Sequence, residues 1–191
     1  MIESASTLFH RNGLTATSLA DIAKHADIPI GNVYYYFKTK EELALAVVEK
    51  HREQYRAAYE LLNDNIDDPR MRLIEATKAF NKSRDDYALY GCPIGRIISD
   101  GDMQHDNVSK AAAQVLTEFV DWAAEQFIKL GHDDTAKQQA ASLVAGIQGG
   151  IVMGKALQNP HVISDEIARL VTWLESVPNR KIRIGKMGLK F

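Results

Sequence analysis

The sequence predicts an all-α protein, an N-terminal three-helix bundle that contains a helix-turn-helix, followed by a larger helical domain. Three observations predict it. Nearly every segment between turn signals repeats its apolar residues at a helical period. No apolar alternation persists for more than a few residues, so no strand signal survives. Only five prolines punctuate the 191 residues. Hydrophobic content of 46% and charged content of 25% are ordinary for a chain with a core, and exclude disorder, collagen and a disulfide-stapled scaffold.

The elements follow in order. Ile2, Ala5, Leu8 and Phe9 make one face of a first helix that stops at Asn12-Gly13. Thr17-Ser18 caps a second, with Asp21 three residues after Ser18 as a short form of the capping box; it buries Leu19, Ile22, Ala23 and Ala26. Pro29 bars its continuation. From Thr39 a long stripe runs through Leu43, Val47, His51, Tyr55, Ala58 and Leu62, broken by Asp67-Asp68-Pro69. Leu73, Ala76, Phe80, Arg84 and Tyr87 carry one further helix to Gly91, and Pro93 opens a less regular segment through Asp102. Val108 to Leu130 makes a long helix closed by Gly131, Ala136 to Leu157 another, and Ile167 to Leu174 lie on the last. Residues 178–191 form a basic tail with Arg180, Lys181, Arg183, Lys186 and Lys190 and no acids.

Residues 18 to 37 read as helix, short turn, helix. Ala23 is small enough for two helices to cross there, Asp27 tolerates the left-handed backbone a turn requires, and Val33 packs back. The stretch "IPIGNVYYYFKTK" then poses a geometric constraint. Successive helical residues turn by about 100°, so Tyr34, Tyr35 and Tyr36 cannot all face the core. Val33 and Phe37 share the inward face, which leaves at least two tyrosines outward, able to reach phosphate oxygens or thymine methyls. Ile30, Gly31 and Asn32 stand at the N-terminal end of the same helix, the part that meets base edges in such docking. Lys38 and Lys40 follow within reach of a DNA backbone, and Thr17 or Ser18 presents a helix N-terminus to a phosphate.

With those residues in place, "TATSLADIAKHADIPIGNVYYYFKTKEELALAVVEK" resembles the DNA-binding head of the TetR family of bacterial transcriptional regulators, over residues 2 to about 50. The "Y-Y-F-x-x-K-E-E-L" close is especially specific. The resemblance implies a head at residues 1–45 and an effector-binding and dimerisation domain at 46–177. It implies a cytoplasmic homodimer that binds a double-stranded DNA operator and answers to a small-molecule effector. The expected function is a repressor released from its operator by that effector. The alternative is a ligand- or partner-binding module of the same fold with weak or lost DNA binding. Residues 1–40 carry only Arg11, Lys24, Lys38 and Lys40 against Glu3, Asp21 and Asp27, and no basic arm precedes the first helix. A head this neutral is expected to bind modestly through dimer avidity, unless the protein begins upstream.

In the larger domain Phe80, Tyr87, Phe119, Trp122 and the flexible Met153 are candidates to line an effector pocket, the alternative being plain core. "YGCPIGR" resembles the Gly-Cys element of a subgroup that includes electrophile- and oxidant-sensing repressors related to the N-ethylmaleimide sensor. Cys92 is then a candidate sensor, with a helix N-terminus and Arg96 to activate its thiol; a lone cysteine is otherwise a small buried hydrophobe. "AASLVAGIQGGIVMGKAL" is rich in small residues, and its glycines cost helix stability unless a close helix–helix approach needs them. Gly146, Gly149 and Gly150, with Leu170, Trp173 and Leu174 of the last helix, are the candidate dimer interface; an internal core contact is the alternative.

Other functions find no support. The single cysteine fits a reducing compartment, and no apolar run is long enough to span a bilayer. The histidines are scattered without metal-ligand spacing, no cofactor motif appears, and no paired Glu-x-x-His, phosphate loop or Ser/His pair suggests an enzyme.

Overall fold

The computed structural model describes residues 1–100 and 106–180. Every regular element among the described residues is a helix: α1 (Ile2–Asn12), α2 (Leu19–His25), α3 (Ile30–Tyr36), α4 (Lys40–Asn65), α5 (Pro69–Ala79), a 3₁₀ turn (Phe80–Ser83), α6 (Arg84–Tyr90), α7 (Pro93–Asp100), α8 (Asp106–Lys129), α9 (Ala136–Ala156) and α10 (Pro160–Ser176). Of the basic tail expected at 178–191, residues 181–191 lie outside the described residues.

Two compact units result. The first comprises Met1–Arg56 and Tyr90–Leu116, so α1 to α3, the first part of α4, α7 and the first part of α8 share one core. Phe9, Leu14, Ile22, Leu43, Ile94 and Ile97 are its largest closed side chains. The periodic faces explain why: Ala5 and Phe9 are the buried residues of α1, as Leu43, Ala44, Val47 and Val48 are of α4.

The second unit takes Ala57–Leu89 and Thr117–Phe191. Its core is built from Leu73, Phe127, Leu130, Leu143, Ile147 and Ile151, with Leu170 and Leu174 from α10. Here the glycines of α9 find their reason. A Cβ at Gly146 would lie 2.9 Å from Leu170 Cδ2, one at Gly150 3.0 Å from Glu166, and one at Gly154 2.5 Å from Ile163 Cγ1. They let α10 approach α9 within one chain. The expectation that Gly146, Gly150, Leu170 and Leu174 face a partner is corrected accordingly: Gly150, Leu170 and Leu174 are buried and Gly146 abuts α10. Trp173 is half-buried with its ring 5.9 Å from Phe127. Gly149 alone of that set turns outward, with no atom within 4 Å of a Cβ built on it.

Two further differences concern helix continuity. The single helix expected from Leu73 to Gly91 breaks at Phe80–Ser83, where four residues adopt 3₁₀ geometry without glycine or proline. The break is tied to α10: Ser164 Oγ donates to Asn81 Oδ1 at 2.8 Å and accepts from Arg84 Nη1 at 3.1 Å. The less regular segment expected after Pro93 is instead a regular helix, α7.

Candidate nucleic-acid interface

Both halves of the capping box that starts α2 are formed. Ser18 Oγ accepts from the Asp21 amide at 3.1 Å, and Asp21 Oδ2 accepts from the Ser18 amide at 2.9 Å. The bonds from Ser18 hold the Asp21 carboxyl below its ordinary range. The turn after α2 passes through Asp27 at φ 53°, the left-handed conformation that an aspartate tolerates. The Ile28 amide then returns to Ala23 C=O at 3.1 Å, and Ala23 is buried where the helices meet.

On α3 the division of faces is sharp. Val33 is wholly enclosed, while Tyr34, Tyr35 and Tyr36 are 50%, 74% and 68% exposed. Ile30, Gly31 and Asn32 are also exposed, and a Cβ built on Gly31 meets nothing within 4 Å. The helix thus presents one continuous outward surface of an apolar side chain, a bare backbone, an amide and three phenols. Tyr35 and Tyr36 pack edge to face, centroids 5.0 Å apart, which limits their rotation without covering them.

The flanking residues divide differently from the sequence-based expectation. Thr17 is 1% exposed, and its hydroxyl donates to Gly13 C=O at 2.8 Å. Its side chain is therefore internal and serves the turn, so any part it has in a DNA contact falls to its backbone at the start of α2. Ser18 is exposed. Lys38 Nζ donates to the carbonyls of Tyr34 at 2.8 Å and Tyr35 at 3.3 Å, closing the C-terminal end of α3. Lys40 Nζ donates to the carbonyls of Leu14 at 2.9 Å and Thr15 at 3.2 Å.

The candidate effector residues separate. In the second unit Phe80, Tyr87, Phe119 and Trp122 join one ladder of rings, to which the sequence reading had not assigned Tyr59. Tyr59 stacks on Trp122 at 4.7 Å and on Phe119 at 5.6 Å, Phe119 stacks on Phe80 at 5.8 Å, and Tyr87 lies 6.3 Å from Phe80. Burial, with Glu118 nearby, pushes the Tyr59 phenol upward, so it stays neutral. Below the ladder, fully buried Gln126 donates to Trp122 C=O at 3.2 Å and accepts from Arg72 Nη1 at 3.2 Å. Met153 does not join: it is 51% exposed on α9, and its assignment to the pocket is corrected. Cys92 belongs to the first unit, not to that of the rings. It is buried, and its Sγ accepts from the Gly95 amide at 3.4 Å, capping α7. Arg96, expected beside the thiol, instead bonds Asp100 Oδ2 at 3.4 Å and Asn12 C=O at 3.2 Å. Only the spacing of Arg96 and Asp100, one helical turn, pointed to that pair in the sequence.

No group of three or more potential metal-ligating side chains occurs among the described residues. None of the described helices is long and apolar enough to cross a membrane.

The comparisons agree with this arrangement. Residues 1–47 match the family model for bacterial regulatory proteins of the tetR family, and residues 73–167 match that for the C-terminal domain of LmrA/YxaF-like transcriptional regulators. An HTH-type transcriptional regulator in the lacX 3′ region of Lactococcus lactis subsp. lactis is 26% identical over 184 residues, 93% of this chain and 92% of that protein. The HTH-type transcriptional regulator LmrA of Bacillus subtilis is 25% identical over 165 residues, 83% and 86% of the two chains. Among solved structures, a TetR regulator from Legionella pneumophila superposes with a TM-score of 0.80 at 18% identity, covering 90% of this chain and 94% of that one. The reduced form of E. coli NemR gives 0.72 at 20% identity over 88% and 92% of the two chains, a likeness of fold. The outward face of α3, its capped partner helix and the two matched family models together make this chain a TetR-family helix-turn-helix, DNA-binding transcriptional regulator, not an enzyme, with a LmrA/YxaF-like C-terminal domain.

Proposed function

We propose that the protein acts as a cytoplasmic homodimeric repressor whose two α3 helices read half-sites about one helical turn, ~34 Å, apart. The observation that carries the reading is the outward face of α3, where six of seven residues are exposed and only Val33 serves the core. Residues 1–45 would then form the DNA-binding part, and 46–177 the part that binds effector and dimerises. Ile30, Gly31 and Asn32 would meet base edges, and the three phenols phosphates or thymine methyls.

The effector is proposed as either a small molecule seated on the ring ladder of Phe80, Tyr87, Phe119 and Trp122, or an electrophile that reacts at Cys92. Either would act by favouring a head spacing that no longer fits the operator. For dimerisation, α9 offers an exposed, uncharged stripe at helical spacing: Ala141, Ala145, Gly149, Val152, Met153 and Ala156. Burying such a stripe against its own copy is favourable by roughly 25 cal/mol per Å² of apolar surface. Gel-shift with fragments of the neighbouring promoter tests the whole reading. A specific complex that dissolves on adding effector is expected; no specific complex even at low salt would sink it.

A second reading keeps the fold with weak or lost DNA binding. It is favoured by the engagement of Lys38 and Lys40 with the protein's own carbonyls in a head that has few other cations. It predicts small-molecule or protein binding by a chain that gives no specific gel-shift.

A further inference from the structure

The turn between α1 and α2 is gripped from two helices. Gly13 leaves α1 at φ 93°, and both polar groups of Leu14 are then taken by charged side chains. The Leu14 amide donates to Asp100 Oδ2 at 2.7 Å, and its carbonyl accepts from Lys40 Nζ at 2.9 Å. Asp100 is the last residue of α7 and Lys40 the first of α4. The grip is doubled on each side, since Lys40 Nζ also reaches Thr15 C=O at 3.2 Å, while the Thr15 hydroxyl donates to Asp100 C=O at 3.4 Å. Arg96 steadies the carboxylate and donates to Asn12 C=O at the end of α1. Cation meets carbonyl and anion meets amide, so every charge opposes a partial charge of the other sign. A side chain at position 13 would be strained at φ 93° and would displace both clamp groups, since a Cβ there would stand 2.4 Å from Asp100 Oδ2 and 2.8 Å from Arg96 Nη2.

We infer that Asp100 and Lys40 are positioning residues for DNA recognition, which fix the Leu14 peptide and through it the start of α2 and the presentation of α3. The inference rests on the DNA-binding reading of α3. Two of the three Lys40 donors are held by protein carbonyls, which ties the ammonium to the turn and gives it a part in orienting the head. Asp100, an acid on α7 packed in the same unit as the head, has its role in the same turn.

The test uses the full chain and two probes: a duplex that the wild-type chain selects from a random-sequence pool, and poly(dI-dC) as non-specific DNA. Asp100→Ala and Lys40→Met are each expected to lose about tenfold in affinity for the selected duplex and to leave poly(dI-dC) binding unchanged. Asp100→Asn, which keeps an oxygen for the Leu14 amide, is expected to regain most of the loss. The slope of log affinity against log salt should stay at the wild-type value in Lys40→Met. A phosphate contact would instead lower it by about 0.9. That drop, an unchanged specific affinity in Asp100→Ala, or an equal loss on both probes would overturn the inference. Hydrogen exchange at the Leu14 amide reads the clamp without DNA: faster exchange in Asp100→Ala is expected, and a wild-type rate overturns it. If Asp100→Ala does not fold, Lys40→Met decides by its affinity ratio and slope. A wild-type chain that selects no duplex would refute the DNA-binding reading, and the exchange rates would still judge the clamp.

Discussion

Tyr35 is the side chain on α3 with most to offer a ligand and least to offer the fold. It is the most exposed large hydrophobic residue in the described chain, so its hydroxyl and ring are available to a duplex. Tyr35→Phe removes one hydroxyl bond, a net effect of about 1 kcal/mol, or roughly fivefold in operator affinity. Anisotropy titration should show that loss with no change in melting temperature. His51 is the opposite case, a residue with consequences for stability alone. Burial first, then the charges of Lys50 and His10, lower its pKa from 6.5 to about 4, and its Nε2 lies 3.0 Å from Ser6 Oγ. Because the folded value is depressed, the neutral ring's stabilisation is complete above the unfolded pKa and is lost as pH falls from 6.5 toward 4. Between pH 7.5 and 5 the loss should reach about 2 kcal/mol by denaturant titration. His51→Gln, which does not titrate, should lose less by that amount. The sequence placed His51 on the inner stripe of α4 but carried no sign of Ser6, a residue 45 positions away.

Helix ends were legible because they are local. Gly13, Gly91 and Gly131 each follow a helix at positive φ, of 93°, 84° and 85°, and each was readable as a stop. The 3₁₀ break at Phe80–Ser83 was not, since it contains neither glycine nor proline and is tied instead to Ser164 on a distant helix. The glycines of α9 mark the boundary of what a single sequence can tell. Their number announced a close approach, whereas which helix approaches depends on tertiary packing. Gly154→Ala tests the assignment to α10. Helix propensity favours alanine by about 1 kcal/mol, but the new methyl would stand 2.5 Å from Ile163 Cγ1 and 3.3 Å from the Asn159 carbonyl. Ile163 is buried and branched, so the clash wins, at about 1–3 kcal/mol of overpacking. Thermal denaturation should show a net fall in stability.

At the scale of the whole molecule, the proposed dimer depends on the side of α9 opposite its glycine contacts. Val152 and Met153, 65% and 51% exposed, are the largest apolar groups of that stripe. Replacing both by Asp should halve the mass seen by light scattering and abolish operator binding, while α-helical circular dichroism is retained; a mass that stays dimeric places the interface elsewhere. The family and the head were legible because the helix-turn-helix is contiguous and its constraints are local. The ring ladder was legible in part: Phe80, Tyr87, Phe119 and Trp122 were identified, but Tyr59 was not, because it sits on the long helix whose stripe was read through Tyr55 and Ala58. The lone enclosed residue of α3 carries a last consequence. Since Val33 anchors that segment, while Gly31, Asn32, Tyr35 and Tyr36 lie on its exposed side, new target sequences can be sought by randomising those four codons together at little cost in folding. Selection on such a library would explore binding preference almost independently of fitness for the native state, the condition under which one ancestral scaffold can acquire many addresses on a chromosome.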